Sequence, residues 1–359
     1  MVPITATDAI TPAIEHTRRQ LFQRFRLGQW TKMAFVGLLA GELGGNGCGN
    51  SYSDFSRHAG AAHGLPGSLG IDPALIAAFI TTGVVAAFAI GIIFLYIGSV
   101  MRFVLFDSIV TRECRIRWSW SRRLGAGWRY FVWKLLYVLL ALAGVAILVG
   151  IPVAVAFAHG WFKEPKEHLP ALISGGVIVF LMFFVFFVAT ALILVLTKDF
   201  VIPQMALDDV DVMEGWRRLW IMMKADQGAY IGYIAMKIVL AIVVGILIGF
   251  ASLIVGLIFA VPTVGLGVFA LIMGKTAGLV WNAYTITVAA VVGCVLLGIF
   301  LYLISLIAVP AIVFFPAYAM YFFAGRYPRL SEVLYSGQLP AAAGRQPAAH
   351  GQQSVPHNP

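Results

Sequence analysis

Long uncharged runs alternate with short charged segments along this chain. Residues 73–101 carry no charge over 29 positions. Uncharged runs follow at 135–158 and 170–197, and 238–325 holds a single charge, Lys275, in 88 residues. A helix needs about 20 apolar residues to cross the hydrocarbon core, so each run predicts at least one span. Drawn as one helix, 238–325 would be about 130 Å long and must fold back. Pro262, Gly265 and Gly267 mark a turn or re-entrant dip there, with spans at 238–260 and 281–309 and a bend along the interface after Pro310. The span at 135–158 is expected to bend near Gly150 and Pro152. The first apolar run, 33–41, is short. Extended from Trp30 to about Gly47 it crosses, which puts Glu42 near the far side. The pattern therefore predicts an all-α polytopic transmembrane bundle of about six spans, with amphipathic helices on the cytoplasmic surface.

The polar segments divide the chain further. Thr11 before Pro12 reads as a helix start, a hydroxyl N-cap with proline in the first turn. Ile14, Leu21, Phe22 and Phe25 then recur among charges, the pattern of a helix lying on a membrane surface. Three regions are expected: a cytoplasmic arm and amphipathic helix at 1–29, a polytopic membrane domain at 30–335, and a disordered tail at 336–359, rich in Gly, Pro, Ala and Gln. Residues 44–70, rich in Gly, Ser and Asn, read as an exposed loop.

Charge orients these spans. The segments 1–33, 102–134, 198–237 and 323–359 hold 5, 8, 5 and 3 Lys plus Arg, whereas the intervening loops hold only Arg57, Lys163, Lys166 and Lys275. By the positive-inside rule the first set is cytoplasmic, with both termini, in a bacterial inner membrane. Only 11% of the 359 residues are charged, against about 25% in a soluble domain, so the bilayer is the solvent for most of the surface. The net charge of +9 comes from residues flanking apolar spans. It points to anionic lipid rather than nucleic acid. With Arg18, Arg19, Arg24, Arg26 and Lys32 and no apolar core before them, no secretory signal peptide is expected. Cys48, Cys114 and Cys294 are far apart and form no zinc pattern. Cys48 is expected outside, Cys114 inside and Cys294 buried in the last span. Asp54, His58 and His63 in the Gly-rich loop read as solvated side chains, so no metal is assigned. Asp208, Asp209, Asp211 and Glu214 precede Trp216-Arg217-Arg218 and read as acids at a helix N-terminus.

Three span exits look alike: Arg102-Phe103-Val104-Leu105-Phe106-Asp107, Asp199-Phe200-Val201-Ile202-Pro203-Gln204 and Val313-Phe314-Phe315-Pro316-Ala317. The first two lead to Arg122-Arg123 and Arg217-Arg218, then to Tyr130-x3-Lys134 and Tyr233-x3-Lys237. This predicts three helical-hairpin units, each a surface helix, a span out, a loop and a span back. Over about residues 100–335 the pattern resembles the membrane domain attached to glycerophosphodiester phosphodiesterases, and several uncharacterised bacterial multi-pass families. The likeness rests on Phe200-Val201-x-Pro203 and the acidic segment before Trp216-Arg217. It implies a helical membrane domain. The soluble catalytic barrel of those enzymes has no counterpart here, so no catalytic residue carries over.

No Ser-His-Asp order, HExxH, P-loop or dinucleotide fingerprint is present, and no carboxylate falls in a span centre. The expectation is a non-catalytic, cofactor-free scaffold or lipid-interacting protein. The alternative is a transporter or facilitator for an apolar or lipid-like solute, for which Pro152, Pro262 and Pro310 permit broken helices. Arg122, Arg123, Lys134, Arg217, Arg218 and Lys237 are the candidate lipid-headgroup residues. They either clamp an anionic phospholipid or serve only to set topology.

Overall fold

The structure, a computed structural model, describes residues 5–23, 26–42, 73–161, 169–276 and 283–336. Every regular element in it is helical. In chain order these are α1 (Ile10–Leu21), α2 (Leu27–Leu39), α3 (Pro73–Val110), α4 (Ile116–Ala158) and α5 (Leu169–Leu196). A π-helical turn (Thr197–Val201) follows, then α6 (Ile202–Asp208), α7 (Val212–Ala225), α8 (Gln227–Thr276), α9 (Ala283–Ala324) and α10 (Pro328–Ser336).

Each of α3, α4, α5, α8 and α9 is long and apolar enough to cross a membrane. Their surfaces change character along their length. Residues 80–94 of α3, the 135–158 part of α4, most of α5, the 238–273 part of α8 and the start of α9 expose Ile, Leu, Val and Phe. Apolar surface of that extent is stable only against lipid. The opposite ends, at 99–110, 196–207 and 308–324, are largely buried against one another, and 119–131 and 230–233 turn one face into them. With α1, α2, α6, α7 and α10 they form a packed head. Phe200 is its centre, with ring centroids of Tyr230, Tyr233, Phe322 and Phe323 at 5.4, 5.1, 6.0 and 5.2 Å.

Several expectations are corrected. Helix α2 has 13 residues, about 20 Å at 1.5 Å per residue, which is too short to cross. It ends at Gly41, whose positive φ of 77° is the left-handed stop that glycine adopts without strain. Among the described residues the spans by length and composition number five rather than six. Nor does helix α8 turn at Pro262, Gly265 or Gly267; it runs unbroken from Gln227 to Thr276. Helix α9 likewise passes through Pro310 and Pro316. A backbone with no water to bond to keeps its internal hydrogen bonds, and proline costs it only one. The three exits also differ. The first continues α3 straight to Val110, with 116–134 forming the start of α4. The second breaks into the π turn, α6 and α7, and the third stays within α9. A separate helix therefore follows the second exit, and after the third α10 begins at Pro328, but the first has none. One feature of the proposed unit persists, since the Phe of the exit touches the Tyr of the entrance in both cases, Phe103–Tyr130 at 6.1 Å and Phe200–Tyr233 at 5.1 Å.

Helix α1 starts at Ile10, two residues before Pro12, and Ala9 rather than Thr11 stands at its N-cap. Its buried face is Ala13, His16, Thr17, Gln20 and Leu21, while Ile14 and Phe22 point outward. Polar contacts hold that face to the head. His16 bonds the Tyr321 hydroxyl at 3.2 Å and the Ile109 carbonyl at 3.1 Å, and Gln20 donates to the Ser108 carbonyl at 2.9 Å. Cys48, Asp54, His58, His63 and the tail from 337 lie outside the described residues. Cys294 sits in α9 as expected but on its outer surface, where lipid rather than protein would cover it.

Candidate functional site: a charge cluster at the base of the head

The π turn places Lys198 and Asp199 at the level where the uncharged run of α5 enters the head. A π turn shifts the side-chain register within a helix, and such turns recur at functional sites. Here both charged side chains are buried or nearly so. Lys198 pairs with Glu42, which follows α2, and Glu42 also accepts from Arg102 Nη1 at 3.3 Å. Asp199 accepts from Lys237 of α8 and from the Tyr233 hydroxyl at 2.9 Å. Arg102 of α3 donates a further bond from Nη2 to the Ala40 carbonyl at 2.7 Å. Lys134 of α4 adds its charge beside Arg102 and Lys198 and has no carboxylate partner among the described residues.

Glu42 shows how strongly these charges act. Its side chain is 1% exposed, and burial alone would raise its pKa. The attraction of Lys198 and Arg102 and the hydrogen bond from Lys198 outweigh that, and the carboxyl stays below its ordinary value. Glu42 was expected near the far side of the membrane. It instead shares one cluster with Arg102, Lys198 and Lys237, because α2 stops short and turns its end onto α3. A cleft of about 30 Å³, lined by Glu42, Arg102, Lys198 and Asp199 with Pro203 and Pro316, opens beside the cluster. Four cations thus stand against two carboxylates, an excess of two positive charges. Burying such an excess is costly unless an anion completes it.

The residues singled out in sequence are dispersed. Lys134 and Lys237 belong to this cluster; Lys237 is held by Asp199 rather than reaching outward along the helix. Arg123 is buried inside the head, its Nε and Nη2 on Asp107 at 3.0 and 2.7 Å and its Nη1 on the Ala206 carbonyl. Its geometry is that of a structural fork. Arg122 lies over the Trp118 ring, 5.1 Å from its centroid. Arg217 is exposed and pairs with Glu214, and Arg218 bridges Glu214 and Asp208. The acids 208–214 do more than serve a helix N-terminus. Asp211 holds the N-cap position of α7 without a side-chain capping bond and reaches Arg129 instead. Asp208 collects Arg218, Arg329 and the Tyr327 hydroxyl, tying α10 to α6 and α7.

Sequence reasoning missed Arg102, Lys198, Glu42 and Asp199. A signal was present, since Arg102 and Lys198 are the first charges after runs of 29 and 28 uncharged residues, 73–101 and 170–197.

Residues 4–333 match the family of unknown function DUF7544. The chain belongs to that family. The match takes in every element from α1 to α9 and most of α10, so the head and the apolar halves are both parts of the DUF7544 unit. No curated protein and no solved structure matches the chain. The resemblance to the membrane domain attached to glycerophosphodiester phosphodiesterases gains nothing from these comparisons. The helices that build the cluster at the base of the head all fall within the region matched to DUF7544.

Proposed function

We propose that this protein is a non-catalytic scaffold of the bacterial cytoplasmic membrane that holds an anionic phospholipid at the base of its head. The observation that carries the reading is the cluster of Arg102, Lys134, Lys198 and Lys237 against Glu42 and Asp199, at the boundary between exposed apolar helices and packed protein. Headgroup phosphates lie at such a boundary, and each basic residue near an anionic surface contributes about 1 kcal/mol. Lys134, lacking a carboxylate, is the group left to meet the phosphate. On this reading the head, which gathers α1 and α10, faces the cytoplasm, and the protein takes no nucleic acid and no cofactor.

The test is native mass spectrometry of the protein purified from a membrane containing phosphatidylglycerol and cardiolipin. Wild type is expected to retain anionic lipid, Lys134→Gln to retain at least about tenfold less, and Arg217→Ala to retain as much as wild type. Equal retention by Lys134→Gln would overturn the assignment.

A second reading, a facilitator for an apolar or lipid-like solute, draws on the π turn and on the two buried carboxylates, since ionisable groups in spanning helices commonly mark transport paths. Solute flux in proteoliposomes that is lost in Asp199→Asn would favour it over the scaffold.

A further inference from the structure

A second, separate basic feature lies where the end of α1 and the start of α2 meet the loop from α3 to α4. These segments enclose an open groove of about 1020 Å³ that shares no residue with the charge cluster below the head. Arg19, Arg26, Lys32, Arg112 and Arg115 line it, with Glu113 as the sole acid among its lining residues. Two of the cations are engaged, Arg19 by Glu15 and Arg115 by Glu113. Arg26, Lys32 and Arg112 make no ion pair to any described residue. The other described lining residues are Gln, Thr, Gly and Cys114, so none among them presents an aliphatic or aromatic side chain. Arg112 also adopts a left-handed backbone, φ +57°, unusual for a residue with a side chain. Strained positions of this kind gather at binding sites.

We propose that this groove binds a multivalent phosphate anion. A groove without apolar lining gives no purchase to a hydrophobic peptide or acyl chain. The guanidiniums instead supply forked N–H donors that match phosphate oxygens in pairs, and Lys32 adds a point charge. With Arg19 and Arg115 held by Glu15 and Glu113, three cations remain uncompensated, which calls for an anion of several charges, and the volume admits one much larger than a single phosphate. That anion is either a soluble oligophosphate or the phosphates of a lipid headgroup, and the chemistry is the same for both.

The experiment uses the full chain in nanodiscs of phosphatidylcholine, titrated with inorganic triphosphate by isothermal calorimetry. Wild type is expected to bind saturably, and R26Q/K32Q/R112Q to bind at least about a hundredfold more weakly. The exposed single change Lys32→Gln is expected to weaken binding about tenfold, which keeps the result interpretable should the triple variant fold poorly. Lys134→Gln, in the other cluster, is expected to leave it unchanged, so failure here is distinct from failure of the lipid assignment above. Repeating the titration with phosphatidylglycerol in the nanodisc separates the sources. Suppressed triphosphate binding, with fewer lipids retained by the triple variant, identifies a headgroup as the ligand; unchanged binding identifies a soluble anion. Triphosphate binding that the substitutions do not weaken would overturn the proposal. So would its absence up to 1 mM together with unaltered lipid retention.

Discussion

Arg123 and Lys134 are eleven residues apart on one helix and have opposite situations. Arg123 is saturated by Asp107 and a carbonyl within the head, so its removal strands a buried carboxylate. Arg123→Ala is expected to destabilise the fold by about 3–5 kcal/mol, the usual cost of orphaning one partner of a buried pair; a denaturant titration in detergent measures it. Arg217→Ala, at an exposed pair, is expected to leave the midpoint where it is. His16 gives a pH-dependent contact. Burial first, and then the nearby Arg112 charge, lower its pKa from 6.5 to about 4 in the folded protein. The released form therefore takes up a proton before the docked form does. Docking strength of α1 is full above pH 6.5 and falls as pH drops towards 4, by about 3 kcal/mol in all. Amide protection of residues 10–21, corrected for the intrinsic pH dependence of exchange, should fall between pH 6.5 and 4.5 in wild type and stay level in His16→Gln. Sequence alone identified Lys134 and Lys237 but not their neighbours. A charge ending an apolar run reads as a topology signal, and nothing in one dimension says that Glu42, Arg102 and Lys198 converge.

At the scale of elements, the apolar runs were legible because lipid-exposed helix is written as uninterrupted hydrophobicity. Their ends were not. Pro152, Pro262, Pro310 and Pro316 all stand inside helices, since a helix surrounded by apolar contacts loses more by breaking than by omitting one hydrogen bond. Helix α2 was read as a span on its apolar content, yet that content serves to pack against α3 and α9. The fit is close. A Cβ on Gly98 of α3 would come within 2.7 Å of the Leu39 carbonyl. Gly98→Ala is thus expected to lift the end of α2 and pull Glu42 away from Arg102 and Lys198. Crosslinking of a cysteine pair placed at Ala40 and Met101 would fall in that variant; unchanged crosslinking would show that α2 is held by other contacts.

For the whole molecule, the structure divides into exposed apolar helices and a packed head that gathers α1 at one end of the described chain and α10 at the other. Bilayer and protein each solvate one half, and the four cations mark the line between them. The lipid reading depends on that line coinciding with the headgroup phosphates. A cryo-EM map of the full chain in nanodiscs containing phosphatidylglycerol tests this most directly. The account predicts the headgroup layer at the level of Arg102, Lys134, Lys198 and Lys237, with phosphate density within hydrogen-bonding reach of Lys134. A headgroup layer crossing the helices elsewhere, or a filled cluster with no phosphate beside Lys134, would contradict it.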